Sequence, residues 1–339
     1  MRVFITGVAG FIGSHLAERL ISQGHLVFGI DNLSSGKESN IPCRFLRYDC
    51  RNKSALRFAI NEIKPDFIYH LAATVGVKRV LDNPKECIEN NIESTRNILE
   101  FGIPGIFAST SEVYGKTDKI LSEDAPLIYS SKSRWSYAAS KLIGEYLVQQ
   151  TNGWKSVRFF NVVGPRQSGS YGAVMPTFVK QALDNQQLTV YGNGKQVRTF
   201  IDVRDCAEIL DMLMMKEFDV VNIGGNNILS INDLASNVLE AIGRDYGQIL
   251  LPRQARIENI AYHKVYTDGF EECLYRVPDL NKLQSLLPVM PMTSLSKTIL
   301  DLAAHIKKEE NTNEQVRQHG SDVQRSETPI PRLTRAAVR

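Results

Sequence analysis

The chain has 339 residues, 43% of them hydrophobic, enough for two domains or one large α/β unit with a packed core. Forty Lys and Arg against 37 Asp and Glu leave a net charge of +3, too small and dispersed for a nucleic-acid binder and better suited to a few ligand phosphates. Five cysteines without ligand-like spacing predict reduced thiols in a cytoplasmic protein. The six histidines are scattered and support no metal site, and no signal peptide or membrane span is evident.

Arg2-Val3-Phe4-Ile5 reads as a strand, Thr6-Gly7-Val8-Ala9-Gly10-Phe11-Ile12-Gly13 as a glycine turn, and Ser14 to Gly24 as an amphipathic helix. That order builds an anion site from backbone N–H groups. Gly7 permits the tight turn, Gly10 lets a pyrophosphate approach near Phe11 and Ile12, and Gly13 lets the helix lie close on the sheet. The next strand, Leu26 to Ile30, ends in Asp31, placed to take a ribose hydroxyl and to repel a 2′-phosphate. NAD is therefore expected rather than NADP.

Phe45 to Tyr48, Phe67 to Leu71, Ile106 to Ser109 and Ser156 to Phe160 read as further strands, separated by helix-length patterns. Such alternation predicts a parallel sheet with helices on both faces. Ser109-Thr110-Ser111-Glu112-Val113-Tyr114-Gly115 closes one strand, and Tyr137-Ala138-Ala139-Ser140-Lys141 opens a helix. Tyr137 and Lys141, at i and i+4, share a helix face. The ammonium is expected to lower the phenol pKa, making Tyr137 a base for a sugar hydroxyl while hydride leaves for NAD; Thr110 would hold the same oxygen. Alone, such a pair is more often an ordinary surface contact.

From Gly164 the texture changes, through Gly164-Pro165-Arg166-Gln167-Ser168-Gly169-Ser170-Tyr171-Gly172. Residues 1–163 are read as the nucleotide-binding domain and 164–306 as mainly a substrate domain, with Phe200 to Val203 and Val220 to Gly224 returning to the sheet. Residues 307–339, polar and without an aromatic, are read as a disordered tail.

In these motifs, together with Asp31-Asn32-Leu33, His70-Leu71-Ala72-Ala73, Arg158-Phe159-Phe160-Asn161 and Arg198-Thr199-Phe200-Ile201-Asp202-Val203, the sequence resembles the extended short-chain dehydrogenase/reductase family, in its sugar-nucleotide epimerase/dehydratase branch. The resemblance covers roughly residues 1 to 305. It implies a Rossmann-type doubly wound parallel sheet with a smaller mixed α/β substrate domain, NAD, and a nucleoside-diphosphate hexose, UDP-linked above dTDP or CDP, oxidised at C4. A homodimer through the Tyr137 helix and the one from Pro84 to Phe101 is implied too. On the cofactor it places Asp31 and Asn32, Asp49 with the backbone of Cys50, Leu71 to Ala73 (including Ala72), and Asn91 on a bordering helix. On the substrate it places Asn161, Val174, Tyr191 packing on the base, and Arg198 and Arg276 on the diphosphate.

Ser111-Glu112 stands where family dehydratases carry Asp-Glu, and serine is a poor general acid. The Thr-Ser-Glu segment and Arg134-Trp135 are similar to uronic-acid decarboxylases, whereas Gly169 to Val179 and Arg276-Val277-Pro278-Asp279 are similar to 4-epimerases. The leading expectation is a UDP-sugar 4-epimerase, which requires only Tyr137, Lys141 and room for the keto sugar to turn over. Decarboxylase, dehydratase and a non-catalytic NAD-binding regulator stay as alternatives.

Overall fold

A computed structural model describes residues 1–127, 130–169, 173–246, 257–265 and 271–325. The chain alternates through β1 (Arg2–Thr6), α1 (Phe11–Ser22), β2 (Leu26–Asp31), β3 (Arg44–Arg47), α2 (Lys53–Ile63), β4 (Phe67–His70), α3 (Val77–Asp82), α4 (Pro84–Leu99) and β5 (Gly105–Thr110). The short β6 (Ile120–Leu121) precedes α5 (Ser136–Gln149), β7 (Trp154–Phe159), β8 (Asn161–Val163) and α6 (Val174–Leu183). Next come β9 (Leu188–Tyr191), β10 (Val197–Arg198), β11 (Phe200–Asp202), α7 (Val203–Leu213), β12 (Val220–Ile223) and β13 (Leu229–Ser230). The last elements are α8 (Ile231–Tyr246), β14 (Ile257–Ile260), β15 (Tyr275–Pro278), α9 (Asn281–Leu286) and α10 (Leu295–Arg325).

Among the described residues, seven parallel strands form the central sheet in the order β12-β7-β5-β4-β1-β2-β3. Side chains alternate across it, so each face packs a different helix layer. Val3 and Ile5 lie with Leu16 and Leu20 of α1 and Ile209 and Leu210 of α7. Phe4 and Ile68 lie on the opposite face with Leu56 and Ile60 of α2 and Ile98 of α4. Thr6 is in register with both Ile30 and His70, which aligns the carboxyl ends of β1, β2 and β4. The strand order reverses about β1, so the crevice for a ligand opens there.

A second core joins Phe178 of α6, Leu234 and Val238 of α8, and Ile299 and Leu302 of α10. The short sheet β13-β10-β15-β6 accompanies it. Of the two later segments expected in the main sheet, β12 pairs with β7, but β11 pairs with β8 in a separate two-stranded ribbon. Val203 leaves the strand to begin α7, because Asp202 caps that helix by accepting from the Arg204 N–H at 2.8 Å.

Residues 307–325, expected without order, continue α10. A lack of aromatic residues argues against burial but not against a helix rich in Lys, Glu and Gln. Lys37 pairs with Glu309 at 2.6 Å, and Lys180 pairs with Glu310. Residues 326–339, and residues 170–172 of the glycine-rich segment, lie outside the described residues. Among the described residues no helix is long and apolar enough to cross a membrane and no His, Cys, Asp and Glu cluster could hold a metal. All five cysteines are free thiols.

Candidate active site

A cleft of about 1120 Å³ opens at the carboxyl edge of the sheet. Its floor is the glycine turn. Gly7 adopts φ +76°, and a Cβ there would stand 2.8 Å from the Ala72 nitrogen. A Cβ on Gly13 would stand 2.2 Å from the Gly7 carbonyl oxygen, so α1 can meet the turn only with glycine at that position. Gly10 caps α1 without a side-chain hydrogen bond, leaving the first helical N–H groups, near Phe11 and Ile12, open to an anion.

Asp31 accepts from the Ala9 N–H at 2.9 Å and the Leu33 N–H at 2.8 Å, one bond on each oxygen, which leaves lone pairs for a ribose diol. Burial pushes its carboxyl up, against the pull of those two N–H groups. Asn32 donates to Asp49 at 2.8 Å, and Arg51 forks onto the same carboxylate at 3.0 Å on each oxygen. That fork holds Asp49 down at about 2. Asp49 and Cys50 both line the cleft, as do Leu71, Ala72 and Ala73.

Asn91 also borders the cleft but has a structural task. It accepts from the Thr74 N–H at 2.7 Å and donates to Ser140 at 3.0 Å, tying α4 to the segment after β4 and to α5. Sequence reasoning missed the work of His70. Its Nδ1 meets Thr6 Oγ1 at 2.7 Å, and Thr6 accepts from the Ala72 N–H at 3.2 Å, which fixes the cofactor wall. Burial, then the Lys141 charge, brings His70 down to about 3, so it stays neutral.

The end of β5, the one-turn helix Ser111–Tyr114 that follows it, and α5 deliver Thr110, Ser111, Glu112, Tyr137 and Lys141 to one side of the cleft. Thr110 accepts from the Glu112 N–H at 3.2 Å. The expected lowering of the Tyr137 phenol does not occur: burial, then the Glu112 and Cys87 charges, push it up. Lys141 lies 4.7 Å from the Phe107 ring centroid and 5.9 Å from that of Tyr137, a cation over ring faces. Its own burial brings it down to about 8.

Glu112 is engaged by two arginines. Arg134 donates to Oε2 at 2.9 Å and to Oε1 at 3.3 Å, while Arg276 reaches Oε1 at 3.5 Å. Burial alone would raise this carboxyl, but the two guanidiniums hold it at about 2. Among the described residues, Nε and Nη2 of Arg276 are buried with no hydrogen-bond partner.

Asn161 lines the cleft and donates to the Thr199 carbonyl at 2.8 Å. Val174, Tyr191 and Arg198 are not among the described residues that line it. Val174 packs on the second core, and Tyr191 lies on β9 in register with Ile260. Arg198 is taken by Glu272 at 2.7 Å and the Cys273 carbonyl at 2.6 Å, a pairing no local pattern announces.

The profile of the NAD dependent epimerase/dehydratase family matches residues 3–224. The chain belongs to that family. Its cofactor is NAD, and the uncapped α1 terminus, the glycine cradle and the open acceptors of Asp31 fit it. A UDP-N-acetyl-alpha-D-glucosaminuronate decarboxylase of Bacillus cytotoxicus is 37% identical over 330 residues, 91% of this chain and 99% of the relative. A putative UDP-glucose 4-epimerase of Methanocaldococcus jannaschii is 33% identical over 257 residues, 71% of this chain and 82% of the relative. The solved UDP-glucose 4-epimerase of Thermus thermophilus, in complex with NAD, superposes with a TM-score of 0.78 at 29% identity, covering 91% of this chain and 99% of that one. The chain is thus a family enzyme acting on nucleotide sugars, and the decarboxylase resembles it over more of its length and at higher identity than the M. jannaschii relative does.

Proposed function

We propose that this family member is a decarboxylase that releases C6 of a UDP-linked uronic acid as carbon dioxide through a transient 4-keto sugar. The observation that carries this reading is the charge at Glu112. Two guanidiniums converge on one carboxylate, and Arg276 keeps buried N–H groups unmet. Such donors suit a sugar carboxylate, whereas the neutral C6 hydroxymethyl of an epimerase substrate would leave a buried positive charge uncompensated.

NAD, held in the glycine cradle and by Asp31, would supply the hydride acceptor, and later the hydride donor, for C4. Tyr137 would take the O4 proton as its phenolate, a form that burial disfavours and that the positive charge of the buried Lys141 ammonium beside it favours. Once C4 is a ketone, the C5–C6 bonding pair flows toward O4 as carbon dioxide leaves. Thr110 and the Tyr137 hydroxyl then donate to the developing O4 charge, and C5 takes a proton from water, which restores the 4-ketone before hydride returns to C4. Arg276 would orient the carboxylate, and Asn161, on the cleft lining, would meet the diphosphate. Arg198 stands outside the described lining and bound to Glu272, so it could take a phosphate only by leaving that pair. Exposed Ile143 and Tyr146 on α5 suit a homodimer face, and free thiols suit the cytoplasm.

The test is incubation with NAD and, separately, UDP-glucuronate, UDP-N-acetylglucosaminuronate, UDP-glucose and UDP-N-acetylglucosamine, followed by mass spectrometry and proton NMR. Carbon dioxide loss from a uronate is expected. C4 inversion of a neutral hexose, with both uronates intact, would return the assignment to an epimerase.

A further inference from the structure

Arg134 belongs to the one-turn helix Ser133–Trp135 that leads into α5, three residues before Tyr137. Its side chain is 8% exposed, and its two terminal nitrogens divide between the two oxygens of Glu112 at 2.9 and 3.3 Å. Arg276 makes one contact with the same carboxylate, at 3.5 Å. The two arginines are therefore unequal partners. A planar guanidinium with both ends on one carboxylate is fixed in rotation, while one with a single long contact can turn its fork to a ligand.

Arg134 is itself supported from below. Its guanidinium carbon lies 5.3 Å from the Trp135 ring centroid, and Trp135 donates its indole N–H to Glu271 at 2.9 Å. Trp135 packs with Ala138 and Cys273, so the support joins α5 to the segment that leads into Arg276. The same turn thus carries the clamp on Glu112 and, one step later, Tyr137.

We infer that Arg134 is a positioning residue, which holds the Glu112 carboxylate against the cleft wall and through it sets where the free fork of Arg276 stands. This rests on the decarboxylase reading only for the identity of the anion that Arg276 receives. Among the described residues, the charged and titratable groups that act on the pair are Arg276, Tyr137 and Cys87 facing Glu112, and Glu272 and Cys273 facing Arg134. None of the others replaces a bidentate fork, so loss of Arg134 leaves Glu112 buried against a single long contact.

The experiment compares Arg134→Met, Glu112→Gln and the double variant in the full-length enzyme with NAD and whichever uronate the wild type decarboxylates. Arg134→Met should lower kcat by about tenfold or more with little change in KM, and move the acid limb of the kcat profile up by about 1–3 pH units. In the Glu112→Gln background it should add no further loss. Losses that multiply in the double variant, an unmoved acid limb, or a rise in KM alone would each overturn the inference. If Arg134→Met does not fold, Arg134→Lys keeps the charge without the fork; it should lower kcat in the wild type and not in the Glu112→Gln background. The Glu112 carboxylate band, taken as the infrared difference from Glu112→Gln, gives a reading without turnover. Silent uronates with a band that titrates at higher pH in Arg134→Met overturn only the decarboxylase reading, whereas an unmoved band overturns the role of Arg134.

Discussion

Replacing Gly13 by Ala tests the cofactor cradle most directly. The new Cβ would lie 2.2 Å from the Gly7 carbonyl oxygen, where real contacts keep at least 3.0 Å, so that oxygen must retreat by about 0.8 Å. It is not free to do so, because it accepts from the Gly10 N–H at 3.1 Å while the Gly7 N–H is anchored on Ile30 at 2.9 Å. The free protein can relieve the clash by opening the turn, whereas a pyrophosphate bound at the α1 N-terminus would need the turn closed, so the strain is expected to fall on binding. Overpacking of this kind costs about 1–3 kcal/mol, which corresponds to a loss of NAD affinity of about 5- to 150-fold. Calorimetric titration of NAD into protein stripped of cofactor measures it. Gly24→Ala is the control: Gly24 has φ +81° with no atom within 4 Å of its Cβ, so it should lower the melting temperature without touching NAD affinity. An NAD affinity for Gly13→Ala within about twofold of wild type would refute the reasoning.

Lys141 should give a pH signature with opposite signs for stability and activity. Burial lowers it from 10.5 to about 8, so between those values the unfolded chain holds the proton that the folded protein has released. This group's contribution to stability therefore rises with pH across that window, while turnover that needs the ammonium falls through about 8. A kcat/KM plateau extending to about pH 10 would remove Lys141 from the chemistry. Asp31→Asn removes the carboxylate charge expected to face the ribose, and the NADP-to-NAD affinity ratio should rise about tenfold or more, read from parallel titrations; an unchanged ratio would detach selectivity from Asp31. Arg158→Met strips the buried Glu145 of a partner held at 2.7 Å and should cost about 3–5 kcal/mol in urea denaturation, with a loss under about 1 kcal/mol counting against that pair.

What local pattern encodes was legible in the chain itself. The strand before Gly7, the glycine spacing and Asp31 at the end of β2 announce the nucleotide site, because turn geometry and side-chain alternation are properties of neighbouring residues. Tyr137 and Lys141 were legible as a pair for the same reason. The state of those groups was not: the Tyr137 phenol is raised, and Lys141 lies over ring faces, because burial and neighbours from other elements set them. The sequence offers several arginines able to bind phosphate, and only packing decides that Arg198 goes to Glu272, 74 residues away, while Arg276 comes 164 residues along the chain to Glu112. Likewise, the polar run after Ile306 has no apolar face to betray a helix, yet α10 carries it on from a buried root at Ile299, Leu302 and Ala303. Sequence periodicity and glycine spacing determined the sheet and the cofactor; the partner of each charge was decided by tertiary contacts between residues far apart in the chain.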